Sequence, residues 1–355
     1  MDLMRNIKGK IVGAGSIGNH LCYAARSLGW EITVTDIDQV ALNRMQCEIY
    51  PSRYGAWDTD IQMLNPEGEK INSKDFIYDI VFICTPPDSH LKVASEQLFK
   101  HEPEYLFIEK PISNPTSSDE LKKLKLQANK IGTKILVGYN HRLTPNTKYL
   151  VQKIQNNSFG QIKFLRANFR ENWEGILKAH PWISGLESTY LGNISLGGGA
   201  LFEHSHGLDL FLYIAKICSL ELPKISSISM SRMNGYQLDY DENSICIFEF
   251  NKNILGIVEQ NVFTRPGVKI LEIEFEDVSV KWFTNSTNAG VEITDPEGKV
   301  LDSLIYNKKR SDDFQPQIQH INDLISGSEI YSPIAISETE STQSYLDKIY
   351  RRFTS

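Results

Sequence analysis

Six residues near the start of the chain, Gly13-Ala14-Gly15-Ser16-Ile17-Gly18, have the spacing of a phosphate cradle. Gly13 permits a tight turn, Gly15 lets the backbone approach a pyrophosphate, and Gly18 lets the next helix pack closely on its strand. That helix, with Ser16 and Ile17 in its first turn, offers unpaired N–H groups and the positive end of its dipole to an anion. Asp36 follows about 20 residues on, at the end of the next strand-like run. Its carboxylate can accept both hydroxyls of a ribose and would repel a 2′-phosphate. The chemistry is dinucleotide binding, with NAD(H) preferred over NADP(H).

Three further groups of residues could act beside a bound dinucleotide. Thr85-Pro86-Pro87-Asp88-Ser89-His90 follows an apolar strand, where ligands of doubly wound sheets bind. A plain strand-to-helix connection reads equally well there. In Glu109-Lys110-Pro111 the proline restricts the residue before it, so Lys110 leaves the backbone in a defined direction. A lysine near a reacting carbinol can stabilise alkoxide charge and pass a proton; the alternative is a solvated surface lysine. The third group, Gly197-Gly198-Gly199 followed by Glu203, His204, His206 and Asp209, opens a helix. His206 lies three residues from both Glu203 and Asp209, so on one helix it would share a face with each of them. A histidine with a carboxylate neighbour is a candidate general base. Zinc-type spacing is absent, so no metal is expected.

The elements that must position these residues alternate in the first part of the chain. Lys10–Val12, Glu31–Thr35, Asp79–Cys84, Tyr105–Ile108 and Lys134–Val137 read as strands. Ser16–Leu28, a start at Ala41–Met45, His90–Lys100 and Ser118–Ile131 read as helices between them. Strands alternating with helices imply right-handed crossovers and a parallel sheet. After about residue 145 strand-like runs succeed one another: Ile162–Phe169, Ile225–Met230, Ser244–Phe250, Ile254–Gln260, Lys269–Glu274 and Val278–Phe283. Turns at Asn251–Asn253 and Arg265–Gly267 separate some of them, and Leu201–Ile217 is a helical patch. The expected architecture is an α/β Rossmann domain, residues 1–140, and an α+β domain with a large, mainly antiparallel sheet, residues 141–355. The closing helix at 337–352 could pack back on the first domain.

The bulk properties agree with this reading. A chain of 355 residues with 41% hydrophobic and 23% charged residues has room for two cores. A net charge of -7 argues against nucleic acid as a partner. The five cysteines are scattered and read as reduced thiols. No apolar signal segment or membrane span is apparent, so a soluble, cytoplasmic protein is expected.

The order of the motifs resembles the Gfo/Idh/MocA oxidoreductases over nearly the whole chain: the glycine turn, Asp36, the Thr85-Pro86 loop with His90, Glu109-Lys110-Pro111, Gly138-Tyr139-Asn140-His141-Arg142, and the glycine run with His206 and Asp209. The segment around Glu203-His204-Ser205-His206 is similar to a branch linked to bacterial surface-sugar biosynthesis. The resemblance implies a hydride transfer between nicotinamide and a hydroxyl or keto group of a sugar, cyclitol or nucleotide-sugar. It implies Lys110 as catalytic lysine, Glu109 near the nicotinamide ribose, a cis bond at Lys110-Pro111, and His206 as the histidine that exchanges the substrate proton. Tyr139, Arg142 and Asp209 would lie in substrate-contacting segments. Many members place an Asp four residues before that histidine; here Phe202 stands there, and the resemblance points to Glu203 in the Asp's part, with His204 as the less favoured substitute. A homodimer or homotetramer through the second domain's sheet is implied as well. A non-catalytic NAD-binding regulator, or an NAD-dependent glycoside elimination, is compatible with the same motifs.

Overall fold

The computed structural model describes residues 6–65, 77–156, 159–235 and 237–354. The chain divides into two compact units.

The first unit is built largely of alternating strands and helices. Its elements are β1 Lys8–Val12, α1 Ser16–Ser27, β2 Glu31–Thr35, α2 Gln39–Arg44, a π-helical turn Met45–Ile49, α3 Tyr50–Tyr54, β3 Gln62–Leu64, β4 Ile80–Ile83, α4 His90–His101, β5 Tyr105–Ile108, α5 Ser118–Ile131 and β6 Lys134–Val137. The strands form one parallel sheet in the order β3-β2-β1-β4-β5-β6, the doubly wound order. Ile80, Val81, Phe82 and Ile83 of β4 are all fully buried, as a strand covered on both faces requires. Because the sheet is parallel, the carboxyl ends of β1, β2, β4 and β5 gather on one edge.

In the second unit α6 Pro145–Asn156 leads into β7 Ile162–Asn172, α7 Trp173–Lys178, α8 Gly199–Glu203 and α9 Ser205–Ile217. There follow β8 Lys224–Gly235, β9 Leu238–Glu249, β10 Leu255–Asn261, β11 Phe263–Phe275, β12 Ser279–Thr284, β13 Asn288–Thr294 and β14 Val300–Asn307. Among the described residues these strands make an eight-stranded sheet, ordered β14-β13-β12-β11-β7-β10-β9-β8. Every neighbouring pair is antiparallel except β7 with β10. One face is covered by α9, whose Leu208, Phe211 and Ile214 pack on Leu165, Phe169, Phe248 and Val258. The α/β plus α+β architecture is the one expected.

Three expectations need correction. Arg265-Pro266-Gly267 is no turn between strands but part of β11. Pro266 lacks a ladder donor, so pairing with β7 skips from Phe263 to Val268 and the strand continues through a bulge. The boundary 1–140/141–355 also differs from the observed division, because Asp313–Thr339 groups with the first unit. There α10, Gln315–Ile325, lies along α1, with Trp30 Nε1 donating to Asn322 Oδ1 at 3.1 Å and Gln315 Nε2 to Ser27 Oγ at 2.8 Å. Leu136 of β6 bridges Ala335 antiparallel, and Val137 N–H donates to Ile334. The closing helix α11, Ile336–Thr354, puts Tyr345, Leu346 and Ile349 into the second unit's core instead of packing back on the first. Only its first four residues group with the first unit.

Candidate active site

The glycine turn joins β1 to α1, and sterics explain its glycines. Gly13 has φ +112, and a Cβ there would lie 2.5 Å from the carbonyl oxygen of Cys84 at the end of β4. A Cβ at Gly18 would collide with the Gly13 carbonyl. Around Gly15 the situation is reversed, for an added Cβ meets nothing within 4 Å. Gly15 is also the N-cap of α1 and carries no side-chain cap. The first N–H groups of α1, those of Ser16, Ile17 and Gly18, therefore lie beside the open backbone at Gly15, with the positive end of the helix dipole behind them.

Asp36 stands across from this cradle at the end of β2. Its Oδ2 accepts the Ala14 N–H at 2.8 Å and its Oδ1 accepts the Asp38 N–H at 2.9 Å. Each carboxylate oxygen keeps a second acceptor site for a diol. The donors at the helix start and this half-exposed acid fit a dinucleotide: diphosphate at one, ribose at the other.

Two loops complete the edge, and His90 ties them together. Its Nδ1 lies 2.9 Å from the Pro111 carbonyl oxygen and its Nε2 2.7 Å from that of Thr85. Burial holds its pKa below the ordinary histidine value, against the carbonyl contacts of Thr85, Pro111 and Ile112, which favour the proton. His90 is 1% exposed, so it braces the loops rather than facing a ligand. Thr85 Oγ1 accepts from Ser89 Oγ at 2.8 Å, and Pro86 is exposed at the loop tip. Glu109 is buried against the Gly138 backbone, and its Oε2 accepts the Lys110 N–H at 3.1 Å. Lys110 is half-buried beyond it, and the Lys110-Pro111 bond is cis.

In the second unit the histidine segment differs from a single helix. The chain breaks at His204 (φ -94, ψ 23), so Glu203 ends α8 and His206 sits in the first turn of α9. The three-residue spacing therefore does not place Glu203 and His206 on one helix face. The His206 ring lies 4.7 Å from that of His141. Burial, followed by the charges of Lys269, Lys308 and Arg310, holds His141 well below the ordinary histidine pKa, and so neutral.

Three residues expected to meet substrate are sealed. Arg142 and Asp209 form a bidentate pair, Nε to Oδ2 at 2.8 Å and Nη2 to Oδ1 at 2.6 Å, each 1% exposed along its side chain. Thr342 of α11 donates to Asp209 Oδ1 at 2.9 Å, and the guanidinium covers the Tyr213 ring. A charge pair this deep persists because each partner satisfies the other. Tyr139 is fully buried in the first unit's core.

Sequence reasoning missed the carboxylate that does face this histidine cluster. Glu171, at the end of β7, has its Oε2 3.7 Å from His204 Nδ1 and 3.0 Å from Lys269 Nζ. Burial pushes its pKa up, but Lys269, His204 and Arg310 outweigh that and bring it down to about 2. It missed Asp241 of β9 too, fully buried, whose Oδ2 accepts the Leu201 N–H at 2.8 Å and so caps α8. Among the described residues, no group of three or more His, Cys, Asp or Glu is placed to hold a metal ion. No helix among them is long and apolar enough to cross a membrane.

Residues 7–139 match the Gfo/Idh/MocA profile, described as an oxidoreductase family with an NAD-binding Rossmann fold. That match spans the first unit's Rossmann portion and stops before the long run of the second unit that begins at His141. A curated relative, the uncharacterized oxidoreductase YrbE of Bacillus subtilis (strain 168), is 26% identical over 169 residues, which cover 45% of this chain and 43% of the relative. The chain is thus matched to less than half of that relative's length. Two solved structures share the fold over nearly their whole length. A UDP-N-acetylglucosamine 3-dehydrogenase from Acidithiobacillus ferrooxidans superposes with TM-score 0.69 at 14% identity, covering 97% of each chain. A levoglucosan dehydrogenase in complex with NADH and levoglucosan gives TM-score 0.71 at 16% identity, covering 98% of this chain and 97% of the other. The carboxyl edge of the first unit's sheet and the histidine cluster of the second unit each carry residues named from the sequence. Arg142 and Asp209 are buried and paired in the second unit, and Tyr139 is buried in the first.

Proposed function

We propose that this chain is an NAD(H)-dependent dehydrogenase or reductase acting on a hydroxyl or keto group of a sugar, cyclitol or nucleotide-sugar. The observation that carries the reading is the edge of the first sheet, where an open helix start, Asp36 and Lys110 stand on neighbouring loops braced by His90. The dehydrogenases of levoglucosan and of UDP-N-acetylglucosamine that share the fold support the sugar class. Asp36 and Asp38 together at the end of β2 favour NAD(H), since a 2′-phosphate would meet two carboxylates.

Nicotinamide, when bound, supplies the hydride acceptor or donor. The chain's residues do the rest. Lys110 gives the positive charge that stabilises the alkoxide developing at the carbinol oxygen, keeping its own protons. His206 takes or returns the hydroxyl proton at its ring nitrogen. His141, held neutral beside it, does not compete for that proton. Glu171 replaces Glu203 as the carboxylate that sets the charge of the cluster. A homodimer or homotetramer through the outward face of the second sheet belongs to the same reading, and sedimentation tests it.

The test is a panel of sugars, cyclitols and nucleotide-sugars with NAD+, following NADH. An accepted substrate should give one NADH per product. Lys110→Met and His206→Asn should each lower turnover by about 10²- to 10⁴-fold while NAD(H) still binds. Product without net NADH would replace the dehydrogenase by an elimination.

A further inference from the structure

Arg53 lies on α3, more than a strand and a helix away in sequence from the glycine turn, yet it reaches the start of α1. Its Nη1 donates to Ser16 Oγ at 2.8 Å and to the Ser16 carbonyl at 3.4 Å, and lies 3.1 Å from His20 Nε2. Residues four apart share a helix face, so the guanidinium runs along the face of α1's first turn that carries Ser16 and His20. Its carrier is firmly seated. The Tyr54 hydroxyl bonds His20 Nδ1, and the Tyr54 ring stacks on Tyr23 with 3.7 Å between centroids. His20 stacks in turn on Phe314 at 4.5 Å.

The direction of the Arg53–Ser16 bond has a chemical consequence. A guanidinium only donates. Ser16 Oγ must therefore accept, which leaves the hydroxyl's own proton to be given to another group. Ser16 is the first residue of α1 and follows Gly15, around which the space is open. The cradle's other donors are neutral N–H groups with a fractional helix charge behind them, whereas a dinucleotide's diphosphate brings two full negative charges. Arginine is the side chain best matched to phosphate.

We infer that Arg53 is a second anchor for the diphosphate of the bound dinucleotide, acting by its charge and by orienting the Ser16 hydroxyl toward a phosphate oxygen. The inference rests on the dinucleotide reading above and assigns that site a residue outside its glycine motif.

Calorimetric titration of NAD+, NADP+, ADP-ribose and adenosine into wild type, Arg53→Leu, Arg53→Lys and Ser16→Ala tests it. Arg53→Leu should weaken NAD+ and ADP-ribose by about tenfold or more, and adenosine, which has no phosphate, by less than about twofold. Arg53→Lys should keep part of the affinity. Ser16→Ala, too small a change to endanger folding, should weaken ADP-ribose selectively, and adding Arg53→Leu to it should cost less than in the wild-type background. Equal losses for adenosine and ADP-ribose would make Arg53 a structural strut and overturn the inference. So would unchanged affinities, or a loss confined to NADP+, which would assign the guanidinium to a 2′-phosphate. If wild type binds no dinucleotide at all, the coenzyme reading itself falls, a result distinct from every variant outcome.

Discussion

At the scale of single residues, the same side-chain types serve as framework and as chemistry, and burial separates them. Arg142 and Asp209 look from the sequence like substrate contacts, but they neutralise each other in the interior of the second unit. Arg142→Met should therefore destabilise the protein by about 3–5 kcal/mol, because it strands a buried carboxylate. Urea denaturation reads this directly; a variant of native stability with impaired substrate binding would return Arg142 to the site. Lys110 and His206 keep partial exposure, as groups that meet a ligand need. The type of each residue was legible, but its partner was not. Glu171 meets Lys269 through the β7–β11 ladder, where Lys269 lies opposite Phe169, and no local pattern announces a register between strands about 100 residues apart.

At the scale of elements, caps and breaks decide which groups face one another. Periodicity shows a helical run over Leu201–Ile217, but not the break at His204, which separates Glu203 from His206. Asp241 anchors the front of α8 by accepting the Leu201 N–H, and burial pushes its pKa up to about 8 against the N–H groups of Leu201, Asp241 itself and Ala200, which lower it. Unfolded, it ionises near 3.8, so between these values the folded chain retains a proton that the unfolded chain has lost. Its contribution is fully present below the lower value and is lost as pH rises through the upper, at most about 1.4 kcal/mol per pH unit. Asp241→Asn should remove that slope, so the stability gap between wild type and variant should shift steadily in the variant's favour from about pH 4 to about pH 8. Parallel profiles would show that the carboxyl is ionised throughout. The strands of the first sheet were legible because runs such as Ile80–Ile83 are apolar without interruption. β13 and β14 were not, since half-buried strands such as Val300–Asn307 mix exposed Val300, Leu301 and Ile305 with polar neighbours.

At the scale of the whole chain, sequence order and compact units part company. Asp313–Thr339 returns to the first unit through Trp30–Asn322, the Leu136–Ala335 bridge and the Tyr105 hydroxyl, 3.3 Å from the Leu324 carbonyl. A fragment of residues 1–140 should lose Trp30's partner, bare apolar surface and aggregate, whereas the same fragment joined to residues 313–339 by a flexible linker should fold and bind coenzyme. Equal behaviour of the two in circular dichroism would show that the returning segment is dispensable. Such returns escape a linear reading because nothing in the composition of α10 says which core it joins. The glycine turn, the helix start and the acid after β2 of the first unit, by contrast, were legible, since they are tied by local sterics. The most direct test of the account is calorimetry of NAD(H) and NADP(H) with wild type and Asp36→Ala. Tight NAD(H) binding, weakened about 10- to 100-fold by the substitution, with NADP(H) poor in the wild type, is the predicted result. Failure of the wild type to bind either coenzyme would contradict the account.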